Sequence, residues 1–264
     1  MIAGMFYLNE EFTQNFAGVD PFKMLQAMEG NIYRQAPGRK TFQFSLNGKS
    51  YFVKLHSGVG WREISKNLLQ LRLPILGAGN EWRAINKLHE LGVATLNAVA
   101  FGVRGWNPAS RESFIITEAL ENTVSLEDYC RNWNQDPPSP LLRNQLVRQL
   151  ARISFTLHDN GICHRDYYLC HFLMHEGQEM PPSLSLIDLH RALIKSNLDR
   201  RWIIKDIAGL YYSAMDIGLK QRDIFRFIRS YSAKGLRRSL SEDRDFWQQV
   251  ELRAHRMRKK LGPA

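Results

Sequence analysis

Alternation of apolar and polar residues is clearest between Thr41 and Leu55. Phe42, Phe44 and Leu46 alternate with Thr41, Gln43 and Ser45, the period of a strand with one buried face. Asn47-Gly48 follows and predicts a two-residue hairpin turn with positive φ. On the return strand Tyr51, Val53 and Leu55 share one face, with Phe52 and Lys54 on the other. A lysine in so apolar a strand reads in two ways: as an edge charge that discourages aggregation, or as a cation turned toward a ligand. Further strands are predicted at Leu96–Gly102, Ser113–Thr117 and Leu184–Ile187.

Helical spacing appears in three places. Asn80 reads as the N-cap of a helix that buries Ala84, Ile85, Leu88 and Leu91 and closes at Gly92, with Glu81 in its dipole-favoured first turn. Leu142, Leu146, Leu150, Ile153 and Leu157 predict a helix over Leu141–Asp159, ended by Asn160-Gly161. Between Gly58 and Gly79 lies an insertion-like stretch. Its middle, Trp61–Leu73, reads as a basic amphipathic helix stopped at Pro74, either core-facing or docked on anionic lipid. Strands dominate the first part and helices the second, which predicts two lobes joined around Glu118–Asn122.

Composition narrows this only a little. A chain of 264 residues can build one large core or two lobes, and 44% hydrophobic with 23% charged residues excludes a mostly disordered chain. Lys+Arg 36 against Asp+Glu 26 gives +10, an excess that favours an anionic partner. Three cysteines, Cys130, Cys163 and Cys170, are too sparse for a disulfide framework and fit a reducing compartment. No apolar run approaches the roughly 18 residues of a spanning helix. Met1–Glu11 also lacks the layout of a secretory signal. A cytoplasmic protein is expected, with contact to a membrane surface left open.

The chemistry concentrates in Cys163-His164-Arg165-Asp166-Tyr167-Tyr168-Leu169-Cys170-His171-Phe172-Leu173. His-Arg-Asp directly after a helix, with a candidate metal ligand five residues past the aspartate, follows the layout of a kinase catalytic loop. The apolar strand Leu184–Ile187 then ends in Asp188, well placed to hold Mg²⁺ on a nucleotide. His-Arg-Asp alone is weak, but the ordered set Lys54, Glu81, Asp166, Asp188 supplies each part that phosphoryl transfer needs. Lysine neutralises phosphate charge and glutamate orients the lysine. One aspartate orients the attacking hydroxyl, and the other anchors the metal.

This set resembles the protein-kinase-like fold. Longer strings are similar to one family within it, the WaaP family of lipopolysaccharide core heptose(I) kinases. They are Tyr51–Lys54, Lys66–Leu69, Leu73–Ala78, Phe114–Glu118, Ser125–Cys130, Ile187–Ala192 and Lys205–Tyr211. The resemblance implies an α+β, protein-kinase-like bilobal fold with an antiparallel β-sheet N-lobe and a mainly helical C-lobe. The expected boundaries are 1–117 for the N-lobe (insertion at 58–79), 118–122 for the hinge and 123–264 for the C-lobe.

The resemblance further implies ATP-dependent phosphorylation of the first inner-core heptose at its 4-hydroxyl, at the inner face of the inner membrane. In that reading Lys54 binds ATP phosphates, Glu81 pairs with it, Glu118 to Leu120 offer backbone groups to adenine, and Asp166 is the catalytic base. Asp188 holds Mg²⁺, with His171 a second metal ligand, and Asp206 braces the catalytic loop. The expected partners are inner-core lipopolysaccharide and acyl carrier protein.

Departures from the general kinase pattern are plain. His171 stands where protein kinases place asparagine, and Tyr168 where Ser/Thr kinases carry lysine. No G-x-G-x-x-G is present. The equivalent turn near Arg34–Lys40 has Gly38, with Arg39 and Lys40 to meet phosphate. Asp188-Leu189-His190 replaces Asp-Phe-Gly. Other readings stand beside the kinase: another sugar or tyrosine as acceptor, a non-catalytic scaffold binding an acidic partner, or a zinc cluster from Cys163-His164 and Cys170-His171 at poor spacing. The basic tail from Arg222 could suggest nucleic acid, but its aromatics at helical spacing fit a core better, so no nucleic-acid partner is expected.

Overall fold

The computed structural model describes residues 5–36, 38–58, 60–61, 65, 77–177 and 181–263. The chain divides into two compact units, Met1–Asn86 with Leu96–Leu120, and Lys87–Thr95 with Glu121–Ala264. Mixed helix and antiparallel sheet is the architecture expected of the kinase-like fold. The predicted basic helix at Trp61–Leu73 falls almost wholly outside the described residues.

The first unit is built on a six-stranded antiparallel sheet. Its strands are β1 (Met5–Leu8), β2 (Asn31–Ala36), β3 (Arg39–Leu46), β4 (Lys49–Ser57), β5 (Ala98–Arg104) and β6 (Glu112–Glu118), in the order β1-β5-β6-β4-β3-β2. Asn47 and Gly48 turn the β3–β4 hairpin with φ of 50° and 79°, the left-handed values that Asn-Gly adopts cheaply. Phe42, Tyr51, Val53 and Leu55 point to one face. There they bury against Phe12 of helix α1 (Glu10–Asn15) and against Phe22 and Leu25 of α2 (Pro21–Ala27). Lys54 therefore projects from the other face. It is no edge residue, because β4 lies between β3 and β6, and the aggregation-guard reading fails on that placement.

Helix α3 (Gly79–Glu90) begins one residue before the expected cap. The Ala78 carbonyl accepts the first helical bond from Trp82, so Asn80 sits inside the first turn and its side chain accepts from Arg83 instead. Gly92, at φ 67°, ends the helix as expected, with the Val93 N–H bonded back to Leu88. Lys87–Thr95 groups with the second unit, although 1–117 was expected to form one lobe. The reason is a long-range contact: Thr95 forms a parallel bridge with Leu186 and donates its hydroxyl to that residue's carbonyl at 2.6 Å.

In the second unit helix α4 (Leu126–Cys130) is short, and α5 (Pro140–Asp159) buries Leu146, Ile153 and Leu157. Strands β7 (Thr123–Ser125), β9 (Phe172–His175) and β10 (Leu184–Leu186) form one small sheet, and β8 (Ile162–Cys163) pairs with β11 (Leu193–Ile194). Helices α6 (Arg200–Ala214), α7 (Gln221–Tyr231), α8 (Leu236–Glu242) and α9 (Arg244–Leu261) complete it. Phe227, Tyr231, Phe246 and Trp247 pack against a core of Ile204, Ile207, Tyr212, Val250 and Ala254, so these tail aromatics serve packing. No helix among the described residues is long and apolar enough to cross a membrane.

Candidate phosphoryl-transfer site

In the first unit the central strand β4 presents Lys54, and the first turn of α3 presents Glu81. Lys54 Nζ donates to Glu81 Oε1 at 2.6 Å, and the glutamate side chain is only 2% exposed. A carboxylate so deeply buried needs a charged partner, and it fixes the long lysine in return. Arg39 opens β3 opposite His56, next to Gly38 at φ 71°. Lys40 does not extend freely toward a ligand: it reaches back to the Met28 carbonyl at 3.3 Å over the Phe42 ring. Glu118 closes β6; its N–H bonds the Asn97 carbonyl, and its carboxylate accepts from the Asn97 amide at 2.6 Å. Leu120 is the last residue of the first unit.

In the second unit the segment after β8 is held from below by a buried carboxylate. Asp206 of α6 accepts the backbone N–H of His164 at 2.6 Å and of Arg165 at 2.8 Å. Burial alone would raise this carboxyl, but His158 and the His164 N–H outweigh it and hold Asp206 below the ordinary aspartate range. The bracing requires close approach, and Gly209 provides it: a Cβ there would lie 2.9 Å from the Tyr167 carbonyl. Lys205 donates to the Arg165 carbonyl, and Arg165 adopts φ 74°, a conformation that this double tether maintains.

Loss of that brace is the first expected outcome. Asp206→Ala should destabilise the protein by on the order of 3 kcal/mol, because two backbone donors and His158 lose a buried charged partner. A carboxyl held below its usual value lends full stability above about pH 4, and that stability drains away only as pH falls through the lowered value. Chemical denaturation across pH should therefore show a shallower acid decline in the variant than in the parent.

Asp166, His171 and Asp188 come together. His171 Nδ1 lies 2.6 Å from the Asp166 carbonyl. A carbonyl only accepts, so Nδ1 carries a proton, and Nε2 lies 3.7 Å from Asp188 Oδ2. Asp188, at φ 62°, ends the strand segment in a left-handed kink. His190 Nδ1 donates to its Oδ1 at 2.5 Å. His164, kept neutral by burial, donates Nε2–H to the Ile187 carbonyl at 2.9 Å. One carboxylate oxygen and an imidazole lone pair fit a divalent cation whose remaining ligands are phosphate oxygens and water.

Two partners escaped the sequence reading. Arg191 bridges both oxygens of Asp166 from one nitrogen, at 2.9 and 3.0 Å, and His190 holds Asp188. Neither spacing has a sequence signature, although both residues stand within three positions of Asp188. The thiols do not suit a zinc cluster. Burial raises Cys163 and pushes Cys170 up to about 12, and the Cys163 thiol points at the Trp202 carbonyl. Among the described residues no group of three or more His, Cys, Asp or Glu could hold a metal.

A paired strand lysine and helix glutamate, a braced His-Arg-Asp segment and a kinked Asp-Leu-His turn are the parts of a kinase. The family model described as "Lipopolysaccharide kinase (Kdo/WaaP) family" matches residues 23–231, and the chain belongs to that family. It is 45% identical over 259 residues to the lipopolysaccharide core heptose(I) kinase WaaP of Escherichia coli, covering 97% of this chain and 98% of the relative. It is 46% identical over 253 residues to the protein of the same name from Pseudomonas aeruginosa, covering 95% and 94%. A solved structure of WaaP in complex with acyl carrier protein superposes with a TM-score of 0.84 at 41% identity, covering 96% of this chain and 98% of that one.

Proposed function

We propose that this chain transfers the γ-phosphoryl group of ATP to the 4-hydroxyl of the first heptose in the lipopolysaccharide inner core. The observation that carries this is the constellation around Asp166, read with near full-length identity to two heptose(I) kinases. Asp166 accepts the acceptor's hydroxyl proton as that oxygen bonds phosphorus. The bond from phosphorus to the β–γ bridging oxygen breaks, and ADP leaves with the electron pair. Lys54, oriented by Glu81, neutralises phosphate charge. Arg39 meets phosphate from the start of β3, and backbone groups over Glu118–Leu120 meet adenine. Mg²⁺ on the nucleotide would be held by Asp188 and His171 and would offset the negative charge on the phosphates.

Lys54→Ala should raise the KM for ATP and lower kcat, and Glu81→Ala should do both less severely, because the glutamate acts through the lysine. Initial rates over a matrix of ATP and acceptor concentrations check this.

The partner reading follows the relative seen with acyl carrier protein. A small acidic carrier suits the exposed Arg229, Arg237, Arg253 and Arg256 on α7, α8 and α9. The second unit also holds a cavity of about 480 Å³ lined by apolar side chains such as Leu126, Leu146, Leu150, Leu210 and Ile217, which suits the carrier's acyl chain. Action is peripheral, at the cytoplasmic face of the inner membrane, where a +10 chain meets an anionic glycolipid.

The test of this reading is radiolabel transfer from γ-labelled ATP. Label should appear on phosphate-free inner-core glycolipid. Label confined to tyrosine, or ATP bound without turnover, would favour the tyrosine-kinase or scaffold alternatives.

A further inference from the structure

We propose that Arg191 is a positioning residue for phosphoryl transfer, fixing the carboxylate of Asp166 in register with Asp188. The inference rests on the reading of Asp166 given above and adds a residue to it.

A lone aspartate at the end of a loop turns about two side-chain bonds, and a reacting hydroxyl needs one orientation of it. Two separate contacts hold Asp166. Its backbone carbonyl accepts the His171 Nδ1–H at 2.6 Å, and both of its carboxylate oxygens accept from Arg191 Nη1. Two of the carboxylate's roughly four lone-pair sites are thus used, which leaves room for the acceptor hydroxyl.

Where Arg191 comes from matters as much as what it touches. It is the last residue of the single 3-10 turn Leu189–Arg191, which starts directly after Asp188. The Ala192 N–H closes that turn on the Leu189 carbonyl at 2.9 Å, and His190 in its middle holds Asp188 Oδ1. One short rigid turn therefore grips both aspartates, so a shift of one is transmitted to the other. The arginine side chain is 35% exposed. At that exposure its charge adds little to stability, so its contribution lies in geometry. Among the described residues its guanidinium makes no further hydrogen bond, so Asp166 is its sole anchor there.

The experiment is a double-mutant cycle on the full chain. Turnover is measured with γ-labelled ATP and phosphate-free inner-core glycolipid for Arg191→Ala, Arg191→Lys, Asp166→Asn and the double variant Asp166→Asn/Arg191→Ala. Arg191→Ala should lower kcat by about 10²-fold, the scale of a small misplacement of a reacting group, with the KM for ATP changed less than about threefold. Lysine lacks the planar fork but keeps the charge, and should recover part of the loss. Guanidinium ion at millimolar concentration should partly restore Arg191→Ala. In the Asp166→Asn background the alanine substitution should cost almost nothing more, because the group it positions is already gone.

Full additivity in the double variant would overturn the proposal and place Arg191 on the phosphates or the acceptor. Near-parental turnover of Arg191→Ala would overturn it too. If Arg191→Ala does not fold, failure of Arg191→Lys to retain more turnover than Asp166→Asn would count against it. A separate outcome speaks to the underlying reading: if Asp166→Asn keeps parental turnover, Asp166 is not the base and both proposals fall. If Asp166→Asn is inactive and Arg191→Ala is normal, only the role of Arg191 fails.

Discussion

Asp166→Asn is expected to lower kcat by about 10²–10⁴-fold, the usual contribution of a positioned general base, while the protein folds as the parent does. Asparagine keeps the shape and can still accept from His171 through its backbone carbonyl, but it can neither take the hydroxyl proton nor answer Arg191 with charge. Asp166 does not brace the loop. That work falls to Asp206, which holds the N–H groups of His164 and Arg165. Circular dichroism and melting temperature should therefore match the parent, and the KM for ATP should stay within a few-fold, since the residue acts on the acceptor. A variant that loses activity only by unfolding would not support the assignment, and turnover near the parental value would contradict it.

Asp188→Ala should match that loss in kcat but also weaken binding of Mg·ATP, and this second effect separates the two aspartates. Removing it leaves His171 Nε2 as the only remaining protein donor of the pair, and a lone imidazole suits Mg²⁺ poorly. It also removes the acceptor of the His190 Nδ1–H, which donates to Asp188 Oδ1. Equilibrium binding of nucleotide with and without Mg²⁺ reads the effect. The parent should gain affinity from the metal, and the variant should gain little. Equal metal dependence in both proteins would remove Asp188 from the metal site. His171→Asn, which supplies an amide oxygen in place of the imidazole, should retain more activity than His171→Ala if that position touches metal.

Much of the first unit is legible because its signals are local. Asn47-Gly48 specifies the hairpin by backbone preference alone, and the alternation from Phe42 to Leu55 assigns each side chain to a face. The standing of Lys54 is not local. Edge charge and interior cation have the same sequence, and only the pairing of β4 with β6, across more than fifty residues of chain, decides between them. The start of α3 lies two residues ahead of the one Asn80 predicts, because Asn80 is a good cap in isolation, whereas the Ala78 N–H is held by the Ser113 hydroxyl of β6 at 2.9 Å. Short β1, with no alternating pattern to reveal it, is located by pairing with β5.

In the second unit His-Arg-Asp and the aspartate ending an apolar strand mark the chemistry, because reaction type constrains residue type. The residues that orient those groups carry no such mark. Arg191 meets Asp166 across 25 positions, and His158 meets Asp206 across the core. Positioning residues are chosen by distance in the folded chain, and no spacing rule brings them forward. The grouping of Lys87–Thr95 with the second unit has the same origin, since Thr95 bonds to Leu186 ninety-one residues away and the Ala94 carbonyl accepts the Leu186 N–H.

The central claim is that the phosphoryl group of ATP goes to one hydroxyl of one sugar, and product analysis tests it most directly. Purified protein, with acyl carrier protein present, is incubated with Mg·ATP and inner-core glycolipid lacking heptose phosphate. The sugar backbone is then fragmented by tandem mass spectrometry, and the linkage is assigned by phosphorus–proton correlation. One phosphate on the 4-hydroxyl of the first heptose, absent with Asp166→Asn, is the predicted result. Phosphate on another sugar, or none on the glycolipid while ATP is consumed, would contradict it.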